Sequence, residues 1–409
     1  MINNILFSII TILSILTISR IIAISNLIDV VKGKKPWEVT VKENGINAFL
    51  CLLMVFFGWF LYFYFYIKYV RGGLLLPAAA SEHGKAIDTL SDVSFTIISV
   101  AFLLVQPFLW YFAYKYRMRP GHKGYHFAHN TRLEMVWTII PAIILCSLIF
   151  YGLKIWIKVF MTEVEGEKLT IELYAQQFSW TARYAGEDKK LGEANYCMIS
   201  DINSLGIITP YTIDDQIKKI GERYNDVNNK IQNFPEPSKF KELKKERELL
   251  THQLKVLSDI NKQSETKAFS EGLDDIVILP AVGEIHIPVG KPVEFKMRSQ
   301  DVIHSAYMPH FRAHMYCTPG SIASFTFTPT ITTEEIRTKL ANENFDFLLY
   351  CNNICGSAHF NMQMKIIVET EEQFNMWLSQ QKTFSVSLQP QNNAPQEKGA
   401  NNSQMALLN

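Results

Sequence analysis

The sequence predicts a membrane-anchored chain. Transmembrane helices at the N-terminus precede an all-β barrel outside the membrane, and a helical hairpin is inserted into the barrel. Three observations predict this. Apolar residues make up 48% of the 409 and concentrate before residue 160, in stretches long enough to cross a bilayer. From Lys168 onward the pattern turns to short alternating runs broken by Pro and Gly. Between residues 211 and 262 apolar positions recur at spacings of three and four among charged ones, as in paired helices.

The apolar stretches fall at approximately 2–28, 46–70, 94–114 and 135–157. The first is read as a span and not a signal peptide, because no basic residue precedes it and no small-residue cleavage site follows. Charge bias orients the spans. Lys32, Lys34, Lys35 and Lys42 lie between spans one and two, and Lys115, Arg117, Arg119, Lys123 and Arg132 between spans three and four. The intervening segment has only Arg71 and Lys85. The two basic segments therefore face the cytoplasm, and the N-terminus and everything after residue 160 lie outside. No Arg-rich, acid-poor transit segment is present, which favours a bacterial plasma membrane over a mitochondrial one.

Strands are predicted at Thr170–Gln176, Asp275–Leu279, Val293–Met297, Ser324–Thr328 and Lys365–Val368. With no crossover helices between them, they indicate an antiparallel barrel or sandwich. In the helical region Ile213, Ile217, Ile220, Tyr224, Val227 and Ile231 form one apolar series. After Pro235-Glu-Pro237, Phe240, Leu243, Leu250, Leu254, Leu257 and Ile260 form a second, which gives a short antiparallel coiled coil. The expected organisation is residues 1–91, two additional spans with their loops; 92–160, a transmembrane hairpin; 161–382, the β domain with its insertion at 211–262; and 383–409, a polar tail.

The net charge of +1 implies no polyanion partner, so nucleic acid is excluded. Six scattered cysteines make no disulfide framework, and no C-x-x-C-H is present to attach a c-type haem. Two of the cysteines carry chemistry. The run Cys351-Asn-Asn-Ile-Cys355-Gly-Ser-Ala-His359-Phe-Asn-Met362 and, upstream, Asp301-Val-Ile-His304-Ser305 hold two thiols, two imidazoles and a thioether. These ligands suit copper. Two thiolates aimed from one loop can bridge a pair of copper ions, with His304 and His359 terminal and Met362 a weak axial ligand. Such a centre exchanges one electron with little rearrangement, so it relays electrons and does not make bonds. Zinc binds Cys and His too, but its familiar spacings are shorter and it has little use for the Met. Cysteines in an apolar strand also serve as inert core.

These residues resemble subunit II of the haem–copper cytochrome c oxidases, the subunit that holds the dinuclear copper A centre. The resemblance runs from about the third span to residue 380, without the helical insertion. It includes Leu279-Pro-Ala-Val-Gly, Pro288-Val-Gly-Lys-Pro and His129-Asn-Thr-Arg-Leu-Glu134-Met-Val-Trp137. It implies a cupredoxin-like Greek-key barrel on a two-helix anchor; the two further N-terminal spans depart from it.

Carried across, the family's copper ligands fall on His304, Cys351, Cys355, His359 and Met362, with a backbone carbonyl ligand at Asn353. Most members have an acidic residue there that also helps bind magnesium at the subunit interface. Asn353 keeps the carbonyl but lacks the charge a hard cation favours, which weakens the case for magnesium. Gln177-Phe178-Ser179-Trp180 resembles the aromatic segment where electrons enter from cytochrome c, with Phe178 in place of the usual first tryptophan and Trp180 retained. Tyr316 replaces an acidic position of the usual docking face, so the donor is either cytochrome c or a cytochrome of a neighbouring respiratory complex. Glu134 matches the carboxylate at the mouth of a proton channel into subunit I.

The resemblance thus implies the electron-input subunit of a proton-pumping oxidase. Its oxygen-reducing haem lies in subunit I, and other oxidase subunits and the bilayer surround it. A quinol-oxidase subunit II, a nitrous oxide reductase copper domain or a structural scaffold are the competing readings; the first and last predict no copper.

Overall fold

The computed structural model describes residues 2–33, 41–72, 76–119, 121–124, 126–127, 129–161, 166–233, 236–264, 269 and 271–388. The polar tail expected beyond Leu388 lies outside the described residues. The chain divides into two units, residues 1–75 with 93–144 and residues 76–92 with 145–409.

The helices are α1 (Ile2–Val31), α2 (Val41–Phe65, ending in a π-helical turn Tyr66–Arg71), α3 (Glu82–Lys115) and α4 (Thr131–Phe160). Among the described residues three are long and apolar enough to cross a membrane: α2 with its terminal turn, α3 and α4. In α1 the described side chains give a shorter apolar stretch, Ile12–Ile28. Four spans were expected; the side chains of residues 1–11, which would complete the first, are outside the described set.

The second unit is a sandwich. One sheet runs β3 (Ile276–Ile278), β2 (Ser179–Tyr184), β1 (Leu169–Gln176), β5 (Val293–Ser299), β8 (Ala323–Phe327). The other runs β4 (Glu284–Pro288), β10 (Gln363–Glu369), β9 (Phe347–Cys351), β6 (His304–Met308), β7 (Ala313–Cys317). Alternation places one side of each strand inward, as in the pattern of β5 and β9. Leu173, Phe295, Ile285 and Phe347 meet from both sheets in one core and are fully buried. Each such side chain contributes about 1.5–3 kcal/mol by leaving water.

The expected antiparallel order needs correction. β1 pairs parallel with β5, and β4 parallel with β10. In a sandwich the chain returns to a parallel neighbour by way of the other sheet. No crossover helix is then required, and side-chain alternation reads the same in either direction.

Two boundaries also shift. Residues 77–88, expected as part of a loop between spans, belong to the β unit. Ala80 and Ser81 are fully buried, and Ala80 N–H donates to the His310 carbonyl at 2.7 Å. Arg312 donates to both Asp88 carboxylate oxygens (2.7 and 2.9 Å) and to the Pro77 carbonyl (2.6 Å). The first residues assigned to the tail are ordered core as well. Phe384 and Leu388, in and after the short helix Phe384–Ser387, pack with Tyr174, Leu205 and Ile207 on the outer face of β1. Their apolar side chains need that cover.

Between β2 and β3 lie α5 (Pro210–Gln232) and α6 (Pro237–Ser264). Thr209 caps α5 reciprocally with Thr212, and Pro210 occupies its first turn. Ile213, Ile220 and Val227 pack against Leu250, Leu257 and Ile260, and Arg223 pairs with Glu246 across the two helices at 2.7 Å.

Candidate metal centre

His304 opens β6 and is fully buried. Its Nε2 lies 2.8 Å from Asp301 Oδ1 in the turn before the strand. With that proton donated to Asp301, Nδ1 is left as a free lone pair. It faces Cys351 Sγ at 3.8 Å. Burial pushes the Asp301 carboxyl up, but hydrogen bonds from His304, Gln177 N–H and Val302 N–H outweigh it and hold it below the usual range. The sequence gives Asp301 no role of its own; its signal is its place three residues before the histidine.

Cys351 closes β9, where the ladder to β6 sets it opposite Ala306. Its Sγ lies 3.8 Å from Cys355 Sγ. Cys355 Sγ in turn lies 3.6 Å from His359 Nδ1 and 3.9 Å from Met362 Sδ. Met362 is buried, and its carbonyl accepts from Cys351 N–H at 3.0 Å, which closes the loop on itself. The donor atoms of His304, Cys351 and Cys355 all lie within 4.8 Å of one another. His359 and Met362 adjoin this trio through Cys355 Sγ. The Asn353 carbonyl joins them, 3.2 Å from Cys351 Sγ, while its side-chain amide donates to the Ile303 carbonyl at 2.8 Å.

The donor set fits a soft cation. Burial, then the neighbouring Cys351, pushes the Cys355 thiol up to about 11. The Cys355 thiol thus keeps its proton until a cation displaces it. Among the described residues no carboxylate joins His304, Cys351 and Cys355, which disfavours hard ions.

The two aromatic positions separate. Trp180 is 1% exposed, and its ring centre lies 6.3 Å from that of His304, so it backs the histidine and does not reach the surface. Phe178 is half-buried beside the loop: a Cβ placed on Gly356 would meet its ring at 2.7 Å. Gln177 Nε2 donates to the Cys355 carbonyl at 2.5 Å. Nothing in the sequence reading singled out Gln177 or Gly356 individually. Tyr316 is exposed on β7, opposite Ser305. Glu134 sits in the first turn of α4, where its Oε1 accepts from Asn130 N–H at 3.3 Å.

Comparison with known proteins places these features. The family described as cytochrome C oxidase subunit II, transmembrane domain, matches residues 69–155. The family described as cytochrome C oxidase subunit II, periplasmic domain, matches residues 265–371 and so takes in every residue of the cluster. The alternative cytochrome c oxidase subunit 2 of Bradyrhizobium diazoefficiens is 28% identical over 75% of this chain and 83% of its own length. Cytochrome c oxidase subunit 2 of Thermostichus vulcanus is 26% identical over 76% of this chain and 80% of its own. Among solved structures, the periplasmic domain of subunit II of cytochrome oxidase from Bradyrhizobium japonicum aligns with 53% of this chain and 95% of its own, at 15% identity and a TM-score of 0.26. Two family models and relatives matched over most of their own length agree: the chain is similar to cytochrome c oxidase subunit II in both its membrane helices and its β domain.

Proposed function

We propose that the cluster holds a dinuclear copper centre and that the chain is the electron-input subunit of a haem–copper oxidase. The observation that supports this most is the meeting of two imidazoles, a thioether and a carbonyl at two adjacent thiols. Cys351, Cys355, His304, His359, Met362 and the Asn353 carbonyl would hold the pair. Bound there, copper supplies one-electron exchange with little nuclear movement.

The chain's own residues do the rest. Asp301 fixes the His304 ring and its tautomer. The buried walls keep water from the sulfurs. Phe178, beside the loop, offers the donor a flat apolar contact, and Trp180 lies behind His304 as the next aromatic inward. Electrons arrive on the outer side of a bacterial plasma membrane from cytochrome c or a cytochrome of a neighbouring complex. They leave to haem in subunit I, where oxygen is reduced and protons are pumped. Glu134, exposed at the start of α4, collects protons at the opposite face. The helices before residue 76 add further spans, α3 and α4 act as the anchor, and residues 77–88 with 166–388 form the copper domain. With Asn353 tied to Ile303, magnesium is not part of the proposal.

Copper analysis of the purified full chain tests this. About two ions per chain and a near-infrared band are expected, and both vanish in Cys351→Ser. A copper-free chain, or an unchanged spectrum in that variant, refutes the assignment.

A further inference from the structure

The two ligand-bearing segments, Asp301–His304 and Cys351–Met362, come from different strands and need a fixed separation for one metal pair to bind. The ladder between β6 and β9 sets it at one end, through Ala306 and Cys351. Past that pair Asn352 N–H donates to the Ser305 carbonyl at 3.1 Å and the Asn353 side-chain amide to the Ile303 carbonyl at 2.8 Å; beyond these two bonds the turn at Asp301 and the loop at Cys355 are joined by a third element. This is the turn between β1 and β2.

Gln177 in that turn makes two hydrogen bonds in two directions. Its main-chain N–H donates to Asp301 Oδ2 at 2.8 Å, while the other oxygen of the same carboxylate meets His304 Nε2 at 2.8 Å. Its side-chain Nε2 donates to the Cys355 carbonyl at 2.5 Å. The next residue, Phe178, lies flush against the following position of the loop, where Gly356 leaves no room for a side chain: a Cβ there would lie 2.7 and 2.8 Å from two ring carbons and 3.0 Å from Gln177 Nε2. One residue thus reaches His304 through a carboxylate and the Cys355–His359 loop through a carbonyl.

We infer that Gln177 is a positioning residue for the metal centre, setting the distance between its two ligand segments. The inference rests on the copper reading above. A single part-buried hydrogen bond contributes little to folding, so the role should show in the centre and hardly in overall stability. Groups that orient ligands from one bond away typically change metal affinity by about 10- to 100-fold when altered.

The test uses the full chain, purified in detergent and loaded with copper. Gln177→Glu keeps the size but sets a carboxylate oxygen against the Cys355 carbonyl. Gln177→Ala removes the amide and keeps the main-chain bond to Asp301. Both variants are expected to lose copper to a cuprous chelator about 10-fold faster or more and to shift the near-infrared band, with the melting temperature of the metal-free chain unchanged. The double variant Gln177→Ala/Asp301→Asn should cost less than the two single effects combined, because both act on one linkage.

Wild-type release rates and band positions in both Gln177 variants would overturn the inference, as would a lower metal-free melting temperature with an unaltered spectrum. If the wild-type chain takes up no copper, the functional reading itself has failed, and this inference with it.

Discussion

Asp275 gives the most quantitative test. It is fully buried before β3, with Oδ2 accepting from Arg183 Nη1 at 2.9 Å and from Gly192 N–H at 3.1 Å, and with Oδ1 unpartnered. Arg183 is shared: its Nε also meets Glu172 at 2.6 Å, and Glu172 has Arg298 as a second partner. Two carboxylates therefore compete for one guanidinium, and Glu172 holds the better position. Burial raises the Glu172 carboxyl, but the two arginines outweigh it and its value falls below the ordinary one. Asp275 is pushed up by burial, against Arg183, from 3.8 to about 6.

A carboxyl with a raised folded value stabilises the fold while protonated, and that contribution is lost as pH rises from about 4 to about 6. The shift corresponds to about 3 kcal/mol at neutral pH. Asp275→Asn mimics the protonated form. Part of the gain is returned because the new amide N–H finds no acceptor at the Oδ1 position, leaving about 1–3 kcal/mol of net stabilisation. Over a domain of this size that is roughly 2–12 °C in melting temperature. Thermal unfolding in detergent, followed by tryptophan fluorescence at pH 7.5 and again at pH 4, reads it. The variant should melt higher at pH 7.5, and the gap should close at pH 4. A variant that melts lower than wild type at pH 7.5 would refute the argument and show that Arg183 needs both carboxylates. Glu172 acts in the opposite sense: its contribution is present above its ordinary value and lost as pH falls through its depressed one.

Other expectations follow from particular contacts. Gly356→Ala sets a Cβ against the Phe178 ring at a φ of +147° that side chains rarely adopt, so the metal loop must shift. Copper retention should fall at least about 10-fold, and normal retention in a dialysis assay would contradict this. Asp88→Asn leaves the Arg312 guanidinium, 8% exposed, without its carboxylate partner. Because Asp88 is itself a third exposed, the cost should lie below that of a fully buried pair, at about 1–3 kcal/mol. Limited proteolysis within residues 77–92 would detect it, and an unchanged cleavage rate would count against the clamp. Residues 302–311, 313–333 and 347–364 contain no Asp, Glu, Lys or Arg. Electron transfer from the physiological donor should therefore change by less than about 2-fold between roughly 0.05 and 0.2 M salt. A tenfold fall in stopped-flow rates would show a charged docking surface.

The metal cluster was legible because ligand identity and spacing are local: a loop that returns from Cys351 to Met362 brings its own donors together. The strands at Thr170 and Val293 were legible from alternation, and α5 and α6 from their apolar period. Strand direction was not, since alternation has no sign. Arg312 carried no signal in the sequence, because only the fold brings Asp88 beside it from 224 positions away. Trp180 and Phe178 looked alike in sequence; one turn of the chain put the first behind His304 and the second beside the loop. Phe384 and Leu388 were absorbed into a polar tail because two apolar residues are too few to set a period.

The strands flanking α5 and α6 pair directly, with Tyr184 opposite Ile276. The chain therefore departs and rejoins at adjacent points, after an excursion of roughly ninety residues whose closure costs only about 3 kcal/mol more than a four-residue turn. Every proposed ligand lies downstream of the point of return. Shortening, lengthening or exchanging the helical arm would leave the geometry of the sulfur and nitrogen donors as it is. The arm can thus diverge among relatives while the redox machinery stays fixed.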